Sequence, residues 1–109
     1  MSFDENLADR VRQALGTRRG LTEKKMFGGL AFLLRGNMCC GVLGRELIVR
    51  VPPQETDRVL AERHTRPFDF TGRPMRGFVV VEPAGWADAD DLAEWVTRSV
   101  AFASTLPVK

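Results

Sequence analysis

The sequence predicts an α+β domain: a two-layer arrangement of a mainly antiparallel sheet with helices on one face, in the order α-β(3-4)-α-β(1-2)-α. Three observations predict it. An apolar residue recurs at every fourth position over residues 3–15, several short β-rich runs separated by glycine turns fill residues 24–51, and an amphipathic stretch closes the chain from Asp88 onward. The chain of 109 residues fits one domain, assigned to 1–109, and can bury about two-thirds of the surface that its unfolded form exposes.

Phe3, Leu7, Val11 and Leu15 form one stripe among Asp4, Asp9, Arg10 and Arg12, so residues 3–15 read as a helix with one core-facing side. Ser2 and Glu5 have the spacing of a capping box, and Gly16 suits the residue just past a helix end. Strands are expected at Leu30–Leu34, Met38–Leu43 and Glu46–Val51, preceded by a short extended piece at Lys24–Phe27. Gly36-Asn37 and Gly44-Arg45 read as tight turns, making these strands antiparallel neighbours. Alternation puts Leu47, Val49 and Val51 on one face and Ile48 and Arg50 on the other. Pro52-Pro53 ends that run, and a second helix extends from Pro53 to about Arg63 with Val59 and Leu60 inward. A brief strand is expected at Phe68–Phe70 and a firmer one at Gly77–Glu82, ended by Pro83 and Gly85. Asp88 caps a final helix to about Ser104, whose flank carries Leu92, Trp95, Val96, Ser99, Phe102, Ala103 and Leu106.

An apolar fraction of 44% and a charged fraction of 28% are ordinary for a globular chain, and no apolar run is long enough to span a bilayer. The N-terminus lacks the basic head and apolar stretch of a secretory signal, so a cytoplasmic location is expected. Formal charge is +2 and uneven, with seven basic and four acidic groups in residues 1–35 against two and five in residues 82–109. That asymmetry falls short of the basic footprint of a dedicated nucleic-acid binder.

Few residues offer chemistry. Gly28-Gly29 lacks the spacing of a phosphate loop and leads into a strand, so a bend or bulge is the better reading; Gly36, Gly41, Gly72 and Gly77 are likewise expected to shape the chain. Cys39 and Cys40 are adjacent, and neighbours on a strand project to opposite faces, so they read as reduced thiols with one in the core and the other facing outward. Two thiols and one histidine do not make a self-contained zinc site, so no metal or cofactor is expected. His64 lies past the second helix, where capping of the last carbonyls is a simpler role than general-base catalysis. Arg63, Arg66, Arg73 and Arg76, interleaved with Phe68 and Phe70, are a candidate contact surface, against the plainer reading of a solvated edge paired with Glu62 and Asp69. Trp86 and Trp95 are expected to anchor the last helix.

Taken together, Met26-Phe27-Gly28-Gly29, the series Phe32, Gly36, Met38 and Gly41-Val42, the run Leu47-Ile48-Val49-Arg50-Val51, and Gly72-Arg73-Pro74-Met75-Arg76-Gly77-Phe78 make a joint pattern over essentially the whole chain. In this pattern the chain resembles the N-terminal domain of the TfoX/Sxy family, here expected as a stand-alone domain without the C-terminal one. The resemblance implies a two-layer α+β fold and kinship with regulators of bacterial competence for DNA uptake; it implies no catalytic residues. The expected function is a non-enzymatic regulatory or protein-interaction module, linked to competence or transcription regulation, whose partner is another protein or a second copy of the chain. The alternatives are nucleic-acid binding through the central arginines and a thiol-dependent redox activity at Cys39 or Cys40, the latter requiring an exposed thiol.

Overall fold

The computed structural model describes residues 3–26, 28–69 and 72–109. Helix α1 spans Glu5–Leu15, followed by four strands, β1 (Leu21–Met26), β2 (Gly29–Leu34), β3 (Asn37–Leu43) and β4 (Glu46–Arg50). A 3₁₀ turn at Pro53–Glu55 leads into α2 (Thr56–Leu60); then come β5 (Thr65–Pro67), β6 (Phe78–Val81), a one-turn helix α3 (Pro83–Trp86) and α4 (Ala89–Ala103). All strand pairs are antiparallel, and the sheet order is β1-β2-β3-β4-β6-β5.

The start of α1 corrects the expected cap. Asp4, not Ser2, closes the helix: its carboxylate accepts from the backbone N–H groups of Asn6 (2.8 Å) and Leu7 (3.1 Å), while Ser2 lies outside the described residues. An aspartate satisfies two otherwise orphaned donors and also sits at the positive end of the helix dipole. Phe3 consequently lies before the helix and bridges to Gly44. The far end is as expected, with Gly16 at φ 64° and its N–H donating to Arg12 O.

Strand β1 begins earlier than the apolar pattern suggests, because Leu21-Thr22-Glu23-Lys24-Lys25 is a polar edge strand exposed along nearly its whole length. Glu23 faces the helices and receives two hydrogen bonds from Arg12 of α1, at 2.7 and 2.9 Å. The β2–β3 hairpin turns at Arg35-Gly36, one residue earlier than expected, with Leu34 opposite Asn37 and both turn residues at positive φ (52° and 84°). Asn37 is instead the buried first residue of β3, donating its side-chain amide to Pro107 O at 2.7 Å. The Gly44-Arg45 turn stands as expected.

The register of β2 against β3 shifts between Phe32 and Leu33: Phe32 faces Cys40 while Leu33 faces Met38. Cys39 is therefore the extra residue of a β-bulge, and the local twist re-aims it. Both thiols enter the helix-side core and both are fully buried, which corrects the expectation that one would face outward.

Three other boundaries differ. Helix α2 ends at Leu60, short of Arg63. The short strand after it is Thr65–Pro67 rather than Phe68–Phe70, and Phe70 lies outside the described residues. Pro83–Trp86 forms a helical turn where only a strand stop was expected. Helix α4 matches closely, capped by Asp88, whose carboxylate accepts from Asp90 N at 2.8 Å.

Helices α1 and α4 cover one face of the sheet. Leu7, Val11 and Leu15 of α1 meet Leu92, Trp95, Val96, Val100 and Ala103 of α4 over Phe32, Val42, Leu47, Val49, Val79 and Val81. Trp86 and Trp95 are buried anchors, as expected; the Trp86 indole N–H donates to Arg45 O at 3.0 Å. The opposite face carries a smaller cluster, Ile48, Val80 and Phe68, with Met38, Leu43 and Phe78 packed against it. Gly29 permits the tight β2–β3 spacing, since a Cβ there would lie 2.2 Å from Val42 O.

Candidate functional site

The sheet face without helices carries the candidate site. Alternation along each strand places Leu33, Met38, Arg50 and Phe78 on that face, opposite the side chains that enter the main core. The segment after β5 crosses here: Phe68 is buried against Ile48 and Val80, and Phe68 O accepts from Met75 N at 2.9 Å. Between this segment and the sheet lies a hollow of about 500 Å³, lined by Met26, Leu33, Gly36, Met38, Arg50, Phe68, Met75, Phe78 and Lys109. Met26 and Met75 are each 38% exposed, unusually open for large apolar side chains, and both line this hollow. Phe68 and Phe78 meet with ring centroids 6.1 Å apart.

The charged side chains that line the hollow have one sign. Its charged lining residues are Arg50 and Lys109. The Arg50 guanidinium donates to Met38 O at 3.3 Å and lies 5.5 Å from the Phe78 ring centroid, with no carboxylate partner among the described residues. Flexible thioethers, two aromatic rings and a half-buried cation can together hold an apolar group that ends in a negative charge.

The four central arginines meet different fates. Arg66 of β5 is held by the Glu46 carboxylate and lies 3.6 Å from Glu82, and Arg76 donates to Pro53 O at 3.0 Å and lies 3.5 Å from Asp57. Surface pairing of the plainer kind thus occupies two of them, with other acids than Glu62 and Asp69; Glu62 accepts from Arg98 instead, at 3.0 and 2.6 Å. Arg63 lines a cleft beside α2, and Arg73 is exposed in the turn that follows Gly72. None of the hollows described here is lined by more than one of the four. Among the candidate glycines, Gly28, Gly36, Gly72 and Gly77 have positive φ, while Gly41 is paired between Ala31 and Ile48 in the sheet.

The cleft beside α2, about 560 Å³, contains Glu62, Arg63, His64, Asp91, Glu94, Trp95 and Arg98. Arg98 lies 4.4 Å from the Trp95 ring centroid, and its hydrogen bonds hold the Glu62 carboxyl below the usual carboxylate range. His64 does not cap α2. The Thr65 hydroxyl does so, donating to Glu62 O at 2.8 Å and to Leu60 O at 3.3 Å, while His64 stands between them in a left-handed conformation (φ 64°). Its Cβ is packed where a Cβ on Gly85 would approach to 3.0 Å.

At the bulge, the Cys40 thiol donates to Cys39. That hydrogen bond lowers the Cys39 thiol below its usual value against the effect of burial, with Arg18 and Arg50 helping, whereas the bond and complete burial together push Cys40 well up. Neither thiol has the exposure that thiol-dependent chemistry requires. Among the described residues, no group of three or more histidine, cysteine or acidic side chains is placed to hold a metal ion, and no helix is long and apolar enough to cross a membrane.

The signal missed at the level of sequence is the pairing of Met26 with Met75: they are 49 positions apart, and only the crossing segment brings both to one hollow. No curated protein matches the chain. The family model described as the TfoX N-terminal domain matches residues 13–103, from the last turn of α1 to the end of α4. The matched span takes in every strand of the sheet and both flanks of the hollow, so the chain belongs to the TfoX N-terminal domain family.

Proposed function

We propose that this domain is a non-enzymatic regulatory or protein-interaction module that holds an apolar segment of a partner protein in the hollow on its uncovered sheet face. The observation that carries the reading is the exposure of Met26 and Met75 on one hollow whose charged side chains are both cationic. An apolar patch left open at the surface has a cost in water that a bound partner removes, and methionine surfaces adapt to varied apolar partners. Arg50 and Lys109 favour a segment with acidic residues beside its apolar ones. Kinship with competence regulators makes a regulatory protein the natural class of partner.

The test uses Met75→Glu, which places a carboxylate on the exposed rim without touching the main core. Nuclease-treated pull-downs with wild type, Met75→Glu and a variant on a remote surface, Arg58→Gln, are compared. A stoichiometric partner retained by Arg58→Gln and lost by Met75→Glu supports the reading. Equal capture by all three refutes it, and a wild-type dimer in light scattering that Met75→Glu dissociates replaces the partner protein with a second copy of the chain.

A further inference from the structure

On the opposite side of the β2–β3 hairpin from the methionine hollow, three arginines line a second, smaller depression. Arg18 and Arg19 come from the link between α1 and β1, and Arg35 from the β2–β3 turn; with Leu34 and Ser104 they enclose about 250 Å³. All three side chains belong to exposed residues, and none forms an ion pair with a carboxylate among the described residues. Of the arginines elsewhere, Arg12, Arg45, Arg58, Arg66, Arg76 and Arg98 have an acid within ion-pair distance among the described residues, while Arg10, Arg50, Arg63 and Arg73, spread over other surfaces, do not.

Part of this arrangement is explained by the helices. Arg18 Nε donates to Leu15 O at 2.7 Å, and Arg35 Nη2 donates to Ser104 O at 3.3 Å, so each guanidinium meets the negative end of a helix, α1 or α4. These bonds fix two guanidinium groups in place while using one donor each of the five that a guanidinium carries. Arg19 makes no hydrogen bond at all within the described residues, so the helix ends do not account for it.

The backbone supplies a second, independent observation. Arg35 stands at φ 52° in a two-residue hairpin turn, where asparagine or glycine is the favoured occupant. Its side chain crosses directly over Gly20, where a Cβ would lie 2.7 Å from Arg35 Cγ, and Arg35 N donates to Gly20 O at 2.8 Å. A strained arginine laid across a glycine that leaves it room is a local departure from what folding alone favours, and such departures concentrate at binding sites.

We propose that Arg18, Arg19 and Arg35 form a binding site for the phosphate group of a small phosphorylated ligand. Guanidinium forks match phosphate oxygens in geometry and charge, and two of the three are held in place before the ligand arrives. The charges line one depression rather than a stripe, and the chain carries only +2 overall, which favours a single dianionic group over a nucleic-acid backbone. The site is separate from the methionine hollow and does not depend on the function proposed for it.

The experiment is calorimetric titration of the full chain with inorganic phosphate at constant ionic strength, repeated with Arg19→Gln and Met75→Glu. Arg19 has no hydrogen bond or ion pair to lose among the described residues, so its variant keeps the fold, checked by coincident thermal melts. Loss of one charge-assisted bond predicts roughly tenfold weaker phosphate binding by Arg19→Gln and unchanged binding by Met75→Glu. Equal affinity of wild type and Arg19→Gln overturns the site, as does a heat signal that chloride reproduces at the same ionic strength. A duplex oligonucleotide arm separates the other source of phosphate: displacement of phosphate by DNA, with a salt dependence showing more than about three neutralised phosphates, replaces the small ligand with a polyanion.

Discussion

Replacing Arg35 with asparagine should raise the stability of this domain while removing part of its phosphate site. The backbone at Arg35 has φ 52°, in the left-handed region that costs an ordinary side chain about 1–2 kcal/mol. Asparagine occupies this region several-fold more readily, which recovers about 1 kcal/mol of that cost. Against it stands the loss of one exposed hydrogen bond, Arg35 Nη2 to Ser104 O at 3.3 Å, whose length and solvent access limit it to about 0.5 kcal/mol or less. The side chain also leaves its tight passage over Gly20, a change that does not favour arginine. The balance is a gain of about 0.5–1 kcal/mol, or a rise in Tm of about 2–5 °C for a domain of this size. Scanning calorimetry measures it, with Arg35→Gly as companion: glycine also tolerates the turn but gains less because it loosens the unfolded chain. A fall in Tm for Arg35→Asn would refute the reasoning, since the arginine side chain would then stabilise the turn by more than its backbone strains it. A rise in Tm together with weaker phosphate binding is the outcome expected if that arginine serves a ligand rather than the fold.

Three further outcomes are expected. Ser99 is fully buried on α4 and its hydroxyl finds no hydrogen-bond partner among the described residues, so Ser99→Ala should stabilise by about 1 kcal/mol, read as a higher urea midpoint at unchanged slope. Arg98 lowers the Glu62 carboxyl from its usual value, so the stabilisation from this pair is fully present above the unfolded carboxylate pKa of about 4.3 and is lost as pH falls through the lower folded value. Glu62→Gln should therefore be less stable than wild type near neutrality, by a margin that shrinks as pH falls below the unfolded carboxylate value of about 4.3; a margin that does not change with pH contradicts the assignment. Cys39 and Cys40 should resist alkylation in the native state at neutral pH and react fully in denaturant, whereas rapid native labelling of either would show that the bulge opens to solvent.

Wherever local pattern and solvent exposure agreed, the sequence was sufficient. The four-residue stripe of α1, the apolar flank of α4 with its Asp88 cap, the alternation of Leu47, Val49 and Ile48, and the Gly44-Arg45 turn all follow from the periods of helix and strand acting on neighbouring residues. The family likewise was legible, because its glycine and apolar positions are spread along the chain and can be read in order. What depended on long-range pairing was hidden. The polar strand β1 forms because β2 offers it a partner and Arg12 an ion pair, and the β2–β3 bulge turns Cys39 inward by inserting one residue that no alternation rule anticipates. Both candidate sites share that origin: Met26 meets Met75, and Arg18 and Arg19 meet Arg35, across distances in sequence that only the closed sheet removes. The sequence alone determined the elements and the kinship, through interactions that reach a few residues. Tertiary structure decided which side chains share a hollow and which charges remain unpaired, because those depend on register and crossing, where a shift of one residue moves a side chain to the other face.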